Sequence, residues 1–356
     1  MWNKSTMRRL SKNKYLLFSL IFGGVNALAI FLIFGLQVDS DTPGYITTLW
    51  HFLGRETGEL LPYRILRPLG IIFALPFTSI FSGLGALIFE NVLFYLGSLY
   101  LIFKISQKIL KKEKLGFYSV IFFTTAYPLL RFGLAGMVDM GAWFFYLLSV
   151  YLTLLFLEEP KNYLVYLNGL VCGMGVLVKE NGGVGILFFL AILLVSGKFK
   201  KKEIVDYALK FLPLFLVPIL INQLITYHYF HYTYFHWYLQ NAKSYLKQSY
   251  TFFNLAKNFF VTFGLNWIFV LIGIWRIYNE RDKETIKIFL SLAIPSFSFF
   301  LWPSITARLI YIAGPFLALL AARGLDSKKY RFYFLFLLLP LAIFLNFILV
   351  ELSYEF

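Results

Sequence analysis

The chain has 356 residues, of which 59% are hydrophobic and only 14% charged, and its net charge is +15. Soluble domains average roughly 45–50% apolar and about 25% charged, so a soluble globular fold is excluded. Nucleic-acid binding is excluded too, because the Lys and Arg residues sit in short stretches between apolar blocks and leave too little polar surface for a phosphate backbone.

In chain order, apolar segments are predicted at about 15–36, 68–81, 84–104, 116–131, 138–157, 163–178, 183–197, 208–226, 257–275, 287–302, 305–322 and 332–350. Most approach the ~20 residues that cross a hydrocarbon core of ~30 Å. Met1–Lys14 carries five basic residues ahead of the first segment. That segment is long and no small-residue cleavage pattern follows it, so it reads as a retained first span. Basic runs at 4–14, Lys104–Lys114, Lys198–Lys202, Arg276–Lys287 and Arg323–Arg331 should all face the cytoplasm. If every segment spans, two of these runs fall on the wrong side. Removing 68–81 repairs all of them. It is the natural one to remove, being short, holding Pro68 and Pro76, and running into the turn-like Ser82–Gly85. It reads as a helix lying at the interface.

The expected fold is therefore an all-α integral membrane protein, a single transmembrane domain over 1–356. It has about eleven transmembrane helices, with the N-terminus cytoplasmic and the C-terminus outside. Interfacial helices are expected in a long first outer loop (37–83), and an aromatic outer loop at 227–256. A prokaryotic plasma membrane is the expected setting, from the Lys- and Phe-rich composition and the lack of targeting signals.

Candidate chemistry collects on that outer face. Asp39 and Asp41 stand at the mouth of the first span, in Gln37-Val-Asp-Ser-Asp-Thr-Pro-Gly-Tyr45. Two carboxylates so close repel unless a cation or proton lies between them. They read either as a divalent-metal or general-base site or as a solvated turn, since Asp-Thr-Pro-Gly is good turn chemistry. Asp139 is the sole acid in 126–156, where Arg131 is the sole base. It is either a helix N-cap or a second site acid, and on this topology it shares a face with Asp41. Lys179-Glu180-Asn181-Gly182-Gly183 interrupts two short apolar segments. A hairpin turn explains its glycines, the Lys and Glu are free to pair with each other, and Lys179 is also suited to hold a phosphate as a point charge. Arg308 opens a late span, and Arg55, Arg64 and Arg67 lie in the first loop. Snorkelling explains an interfacial arginine, but cations on the disfavoured face also suggest an anionic partner. A polyanion bridged to carboxylates by a divalent metal, with Asp41 and Asp139 as ligands, would use both sets. His228, His231 and His236 lie among tyrosines beside Trp237. Their spacing admits metal ligation, but a headgroup-level aromatic belt is the preferred reading. Cys172, the single cysteine, reads as a small core residue. No Walker, Rossmann, His-Glu-x-x-His or Gly-x-Ser-x-Gly pattern occurs.

These features, in this order, resemble the GT-C superfamily of membrane glycosyltransferases, in particular the branch of aminoarabinose transferases and protein O-mannosyltransferases. The resemblance is carried by Asp41-Thr-Pro-Gly-Tyr45 after the first span and by Tyr63-Arg-Ile-Leu-Arg-Pro-Leu69 before the interfacial helix. Asp139 in a later turn, Gly175-Val-Leu-Val-Lys179 mid-chain, and Arg308 through Pro315 to Gly324 complete it. The chain departs from the pattern in having Asp39 before Asp41 where a second acid should follow. The resemblance implies a polyprenyl-phosphate-linked sugar donor, with Asp41 as general base. Asp39 and Asp139 would position the acceptor or a metal, and Lys179, Arg308, Arg64 and Arg67 would hold the donor phosphate. The acceptor is a glycan, lipid or protein hydroxyl, and transfer inverts the anomeric centre. Rival readings are a transporter or lipid-linked glycan flippase, a membrane glycan polymerase or ligase, and a structural membrane subunit without chemistry. A flippase predicts charges threading the bundle and pseudo-symmetric halves, and no internal repeat is present.

Overall fold

The computed structural model describes residues 4–55, 58, 60–249, 251–302, 305–326 and 331–355. Residues 56, 57 and 59 of the first loop, Tyr250 of the aromatic stretch, 303–304 before Arg308 and 327–330 of the last basic run lie outside the described residues. The described chain is helical, with no strand. That is what a bilayer demands of any open structure, since a helix satisfies its own backbone where water cannot.

The helices are α1 Lys4–Phe34, α2 Thr42–Phe52, α3 Gly83–Leu110, α4 Glu113–Thr124, α5 Asp139–Glu158, α6 Asn162–Val178 and α7 Gly185–Val195. They continue as α8 Lys201–Phe230, α9 Tyr234–Ser249, α10 Phe252–Phe263, α11 Trp267–Glu280, α12 Lys283–Ser296, α13 Gly314–Leu325 and α14 Leu339–Glu355. Eight helical stretches are long and apolar enough to cross a membrane: Lys14–Phe34, Gly83–Leu110, Asp139–Glu158, Lys201–Phe230, Phe252–Glu280, Lys283–Leu301, Ala307–Leu325 and Phe334–Ser353. The protein is thus a multi-pass membrane protein. Three of the eleven expected spans coincide with the shorter α4, α6 and α7. Residues 68–81 do not form one helix. They break into a turn of helix at Leu69–Ile72 and a 3-10 turn at Leu75–Ser79, as two prolines require. The aromatic stretch is not an open loop, since α9 occupies most of it.

One end of the bundle gathers the basic loops. There Lys108 pairs with Glu158 at 2.5 Å, Lys112 with Asp326 at 2.8 Å and Lys111 with Asp282 at 3.9 Å. Lys287 donates to the Ser196 carbonyl at 3.0 Å. The opposite end is built by the first loop, which is folded down onto the bundle. Gln37 donates to the Leu130 carbonyl, and its own carbonyl accepts from Gly136, each at 3.1 Å. Asn91 of α3 donates to the carbonyls of Ala135 and Met137 at 2.7 Å. These bonds fix the turn before Asp139 against the loop that carries Asp41. Between the ends, α6 lies directly on α8. A Cβ at Gly169 would stand 2.5 Å from the Phe211 carbonyl oxygen, and one at Gly173 would stand 2.7 Å from that of Phe215. Small residues at this spacing let membrane helices approach backbone to backbone.

Candidate functional site

The site begins with local chain geometry. Pro43 lies in the first turn of α2, where its fixed φ suits a helix start, and this places Asp41 at the N-cap. The cap side chain makes no bond to the helix. Its oxygens turn instead to two arginines: Oδ1 accepts from Arg64 at 2.7 Å and Oδ2 from Arg308 at 3.2 Å. Arg64 also lies over the Tyr45 ring, 4.2 Å from its centroid, a cation–π contact on a buried ring. Burial works against the charge on Asp41, yet Arg64 and Arg308 beside it hold its carboxyl well below the usual carboxylate range.

A second pair lies deeper. Lys179 follows α6 in an extended conformation and donates to Asp139 Oδ1 at 2.5 Å, with both side chains buried. Glu180 does not pair with Lys179, as adjacency in sequence suggested. It accepts from Arg67 at 2.7 Å, and Arg67 in turn lies 5.0 Å from the Trp237 ring centroid. Chain neighbours in an extended or 3-10 segment point to different sides, so each finds its own partner. The 3-10 turn Glu180–Gly183 sits against α6 because neither contacting residue has a side chain. A Cβ at Gly175 would stand 2.5 Å from the Gly182 carbonyl oxygen, and the converse distance is the same. That contact is the physical reason for glycine at position 175.

These groups enclose a cavity of about 550 Å³. Asp41, Arg67, Lys179, Glu180 and Arg308 form its charged wall, and Tyr63, Tyr232, Trp237 and Trp302 its aromatic wall. Arg64 and Asp139 do not line it: Arg64 stands behind Asp41, and Asp139 behind Lys179. A second cavity of about 520 Å³ shares Thr306 and Arg308 with the first and is bordered by Asp39, Lys257 and Asn258. Asp39 approaches Arg131 at 3.7 Å. Of the predicted set, then, Asp41, Arg67, Lys179 and Arg308 meet at one cavity, while Asp39 faces the neighbouring one. Glu180, Asn181 and Thr306 were not singled out as site residues from sequence. The polar interruption at 179–183 was the only signal for Glu180 and Asn181, and Thr306 had none beyond its place two residues before Arg308.

The carboxylates do not form a metal centre by their present partners. Asp41 lies between two guanidinium groups and Asp139 is bonded to an ammonium. Among the described residues no three His, Cys, Asp or Glu side chains gather to hold an ion. His236 Nδ1 bonds within its own turn to Thr233, at 3.0 Å from the hydroxyl. Tyr227, Tyr229 and Phe235 are exposed, as rings of an aromatic belt are. Cys172 is buried 3.1 Å from the Ser149 hydroxyl.

A polytopic helical bundle with a cation-rimmed, aromatic-walled cavity at one end is the class the geometry defines. Residues 68–221 match the family model described as dolichyl-phosphate-mannose-protein mannosyltransferase. That region holds Asp139 and Lys179 but not Asp41 or Arg308. The crystal structure of ArnT from Cupriavidus metallidurans bound to undecaprenyl phosphate is similar over 90% of this chain, with a TM-score of 0.65 and 16% identity. This chain spans 61% of the length of that protein. No curated protein matches by sequence. The family match covers residues 68–221 only, and the likeness to the crystal structure is one of fold.

Proposed function

We propose that the protein is a membrane glycosyltransferase that moves a sugar from a polyprenyl-phosphate-linked donor to an acceptor hydroxyl at the outer face of a prokaryotic plasma membrane, with inversion. The observation that carries this is a cavity wall that sets Asp41 beside Arg67, Lys179 and Arg308, with its second carboxylate, Glu180, paired to Arg67. Charges at membrane depth are costly and mark functional sites by default. An anionic lipid headgroup is a ligand for which such cations are worth keeping. The crystallised ArnT holds undecaprenyl phosphate, a ligand of that chemistry.

In the proposed reaction the donor phosphate enters the first cavity and competes with Asp41 for Arg308, which lines the cavity. Arg64 stays behind Asp41 and keeps Oδ1 in place. The freed Oδ2 takes the proton of the acceptor hydroxyl. That oxygen bonds to the anomeric carbon as the bond to the phosphate oxygen breaks, and the leaving polyprenyl phosphate keeps the electron pair beside Arg308, Arg67 and Lys179. The acceptor approaches from the side of the second cavity, whose border with the first is Thr306 and Arg308. The charged groups of the cavity wall lie together at one end of the bundle rather than threaded along it, which supports an enzyme over a transporter.

The test is transfer in proteoliposomes holding a radiolabelled undecaprenyl-phosphate hexose, with wild type, Asp41→Asn and a chelator arm in parallel. The expected result is label leaving the lipid with wild type only. Intact donor across a panel of hexoses and acceptors overturns the reading, and loss of transfer with chelator alone restores a metal.

A further inference from the structure

Asn181 differs in kind from the other buried groups of the cavity wall. It is 2% exposed, it lines the cavity, and neither its Nδ2 nor its Oδ1 has a hydrogen-bond partner among the described residues. Buried side-chain polar atoms are bonded in the large majority of cases, and each exception asks for an explanation. Tyr45 Oη, Arg64 Nε and Asp139 Oδ2 are also unbonded nearby, but none of those residues lines the cavity. The backbone that carries Asn181 is also held in place. The Glu180–Gly183 turn that carries it is clamped between Gly175 and its own backbone, with Gly182 donating to the Lys179 carbonyl at 2.8 Å.

The chemistry of a carboxamide narrows the ligand. It offers an acceptor oxygen and a two-hydrogen donor side by side, and no charge. The anionic part of a ligand is already served by Arg67, Lys179 and Arg308. A neutral group with paired donor and acceptor suits the uncharged, hydroxyl-bearing part, with one hydroxyl donating to Oδ1 while its neighbour accepts from Nδ2. Trp237 and Tyr232 line the same cavity and offer apolar ring faces against which the C–H face of a pyranose can lie.

We infer that Asn181 is a specificity residue of the donor site, bonding two adjacent hydroxyls of the donor hexose and so distinguishing hexoses by the configuration of that pair. The inference rests on the donor-site reading above, but its test needs only binding. Full-length protein in nanodiscs is titrated with undecaprenyl phosphate, with its mannose, glucose and galactose esters, and with their monodeoxy analogues. Wild type should bind one hexose ester more tightly than bare lipid phosphate. Two deoxy analogues at neighbouring positions should each lose on the order of 10–100-fold, the cost of a buried group left unbonded. In Asn181→Ala both of these deoxy forms should bind like their parent, while bare lipid phosphate binds as to wild type. Asn181→Asp keeps the acceptor and loses the donor, so it should remain sensitive to one hydroxyl only. It carries the test if the alanine variant fails to fold. Wild type that binds no hexose ester more tightly than bare lipid phosphate overturns the inference, as does a hydroxyl dependence unchanged in both variants. Hydroxyl dependence through Asn181 without any sugar transfer would sustain it and count against the transferase alone.

Discussion

Asp41 is held between one arginine that is walled in and one that faces the cavity, and this asymmetry governs how it can react. A carboxylate pinned by two cations is a weak base, because a general base works best when its pKa lies near the working pH. Removing its carboxyl altogether should cost on the order of 10²–10⁴ in rate. Asp41→Asn should therefore lose transfer while keeping its affinity for lipid donor, and equal rates for the two proteins would remove Asp41 from the mechanism. The pH dependence has a definite sign. The folded-state pKa of Asp41 is depressed below the ordinary ~3.9 by Arg64 and Arg308, against the effect of burial. The stability of these ion pairs is then present above the unfolded value and lost only as pH falls through the lowered one. Wild-type transfer should stay level on acidification from pH 7 to 5. In Arg64→Gln the carboxyl moves up toward its ordinary value, because burial then acts with less opposition, and the acid limb should appear at higher pH. Superimposable profiles would sink this account. An acid at the mouth of an apolar span was legible in the sequence. Which of Asp39 and Asp41 faces the cavity was not, because Arg64 reaches Asp41 only after the loop folds back over 23 residues.

At the scale of elements, the turn after α6 joins stability to ligand binding. Lys179, just after α6, and Asp139, at the start of α5, form a buried pair, and breaking such a pair by removing one partner typically costs about 3–5 kcal/mol. Lys179→Met should lower thermal stability in detergent by that order, because it strands the Asp139 carboxylate. Adding Asp139→Asn to it should restore much of the loss. A Lys179→Met protein with unchanged melting and weaker donor binding would make the lysine a phosphate ligand and nothing else. Gly182→Ala tests the same turn by shape. A methyl there meets backbone rather than a yielding side chain, so the turn must move, and overpacking of this kind costs about 1–3 kcal/mol. Melting of the variant within error of wild type would show that the turn is not clamped. The sequence marked this turn as polar and its lysine as suited to hold a phosphate. It did not reveal that Asp139 is the lysine's partner, since the two are 40 residues apart and meet only when α5 packs on α6. The prolines at 68 and 76 were a stronger guide, because a missing donor and a fixed φ act locally whatever the tertiary context.

At the scale of the whole molecule, the charge of +15 is distributed with a direction. The Lys-rich loops meet at one end through Lys108, Lys111, Lys112 and Lys287, and Asp41 and its cavity lie at the other. Apolar blocks and basic runs were enough to anticipate this polarity, because both follow from transfer energies that act segment by segment. They were not enough to define the short elements, where α4, α6 and α7 are packed among longer helices and need not match a bilayer's thickness alone. If the positive-inside bias sets the orientation, the basic end faces the cytoplasm and the cavity opens outside. Cys172 is buried, so an introduced cysteine is the only accessible thiol among the described residues. In intact bacterial cells an impermeant maleimide should label Gln240→Cys, at the cavity, and should reach Lys200→Cys, in a basic loop, only after permeabilisation. The reverse pattern would put the cavity on the cytoplasmic side. A donor drawn from the outer leaflet could not then reach Asp41, and the transferase reading would need a lipid-linked sugar presented from within.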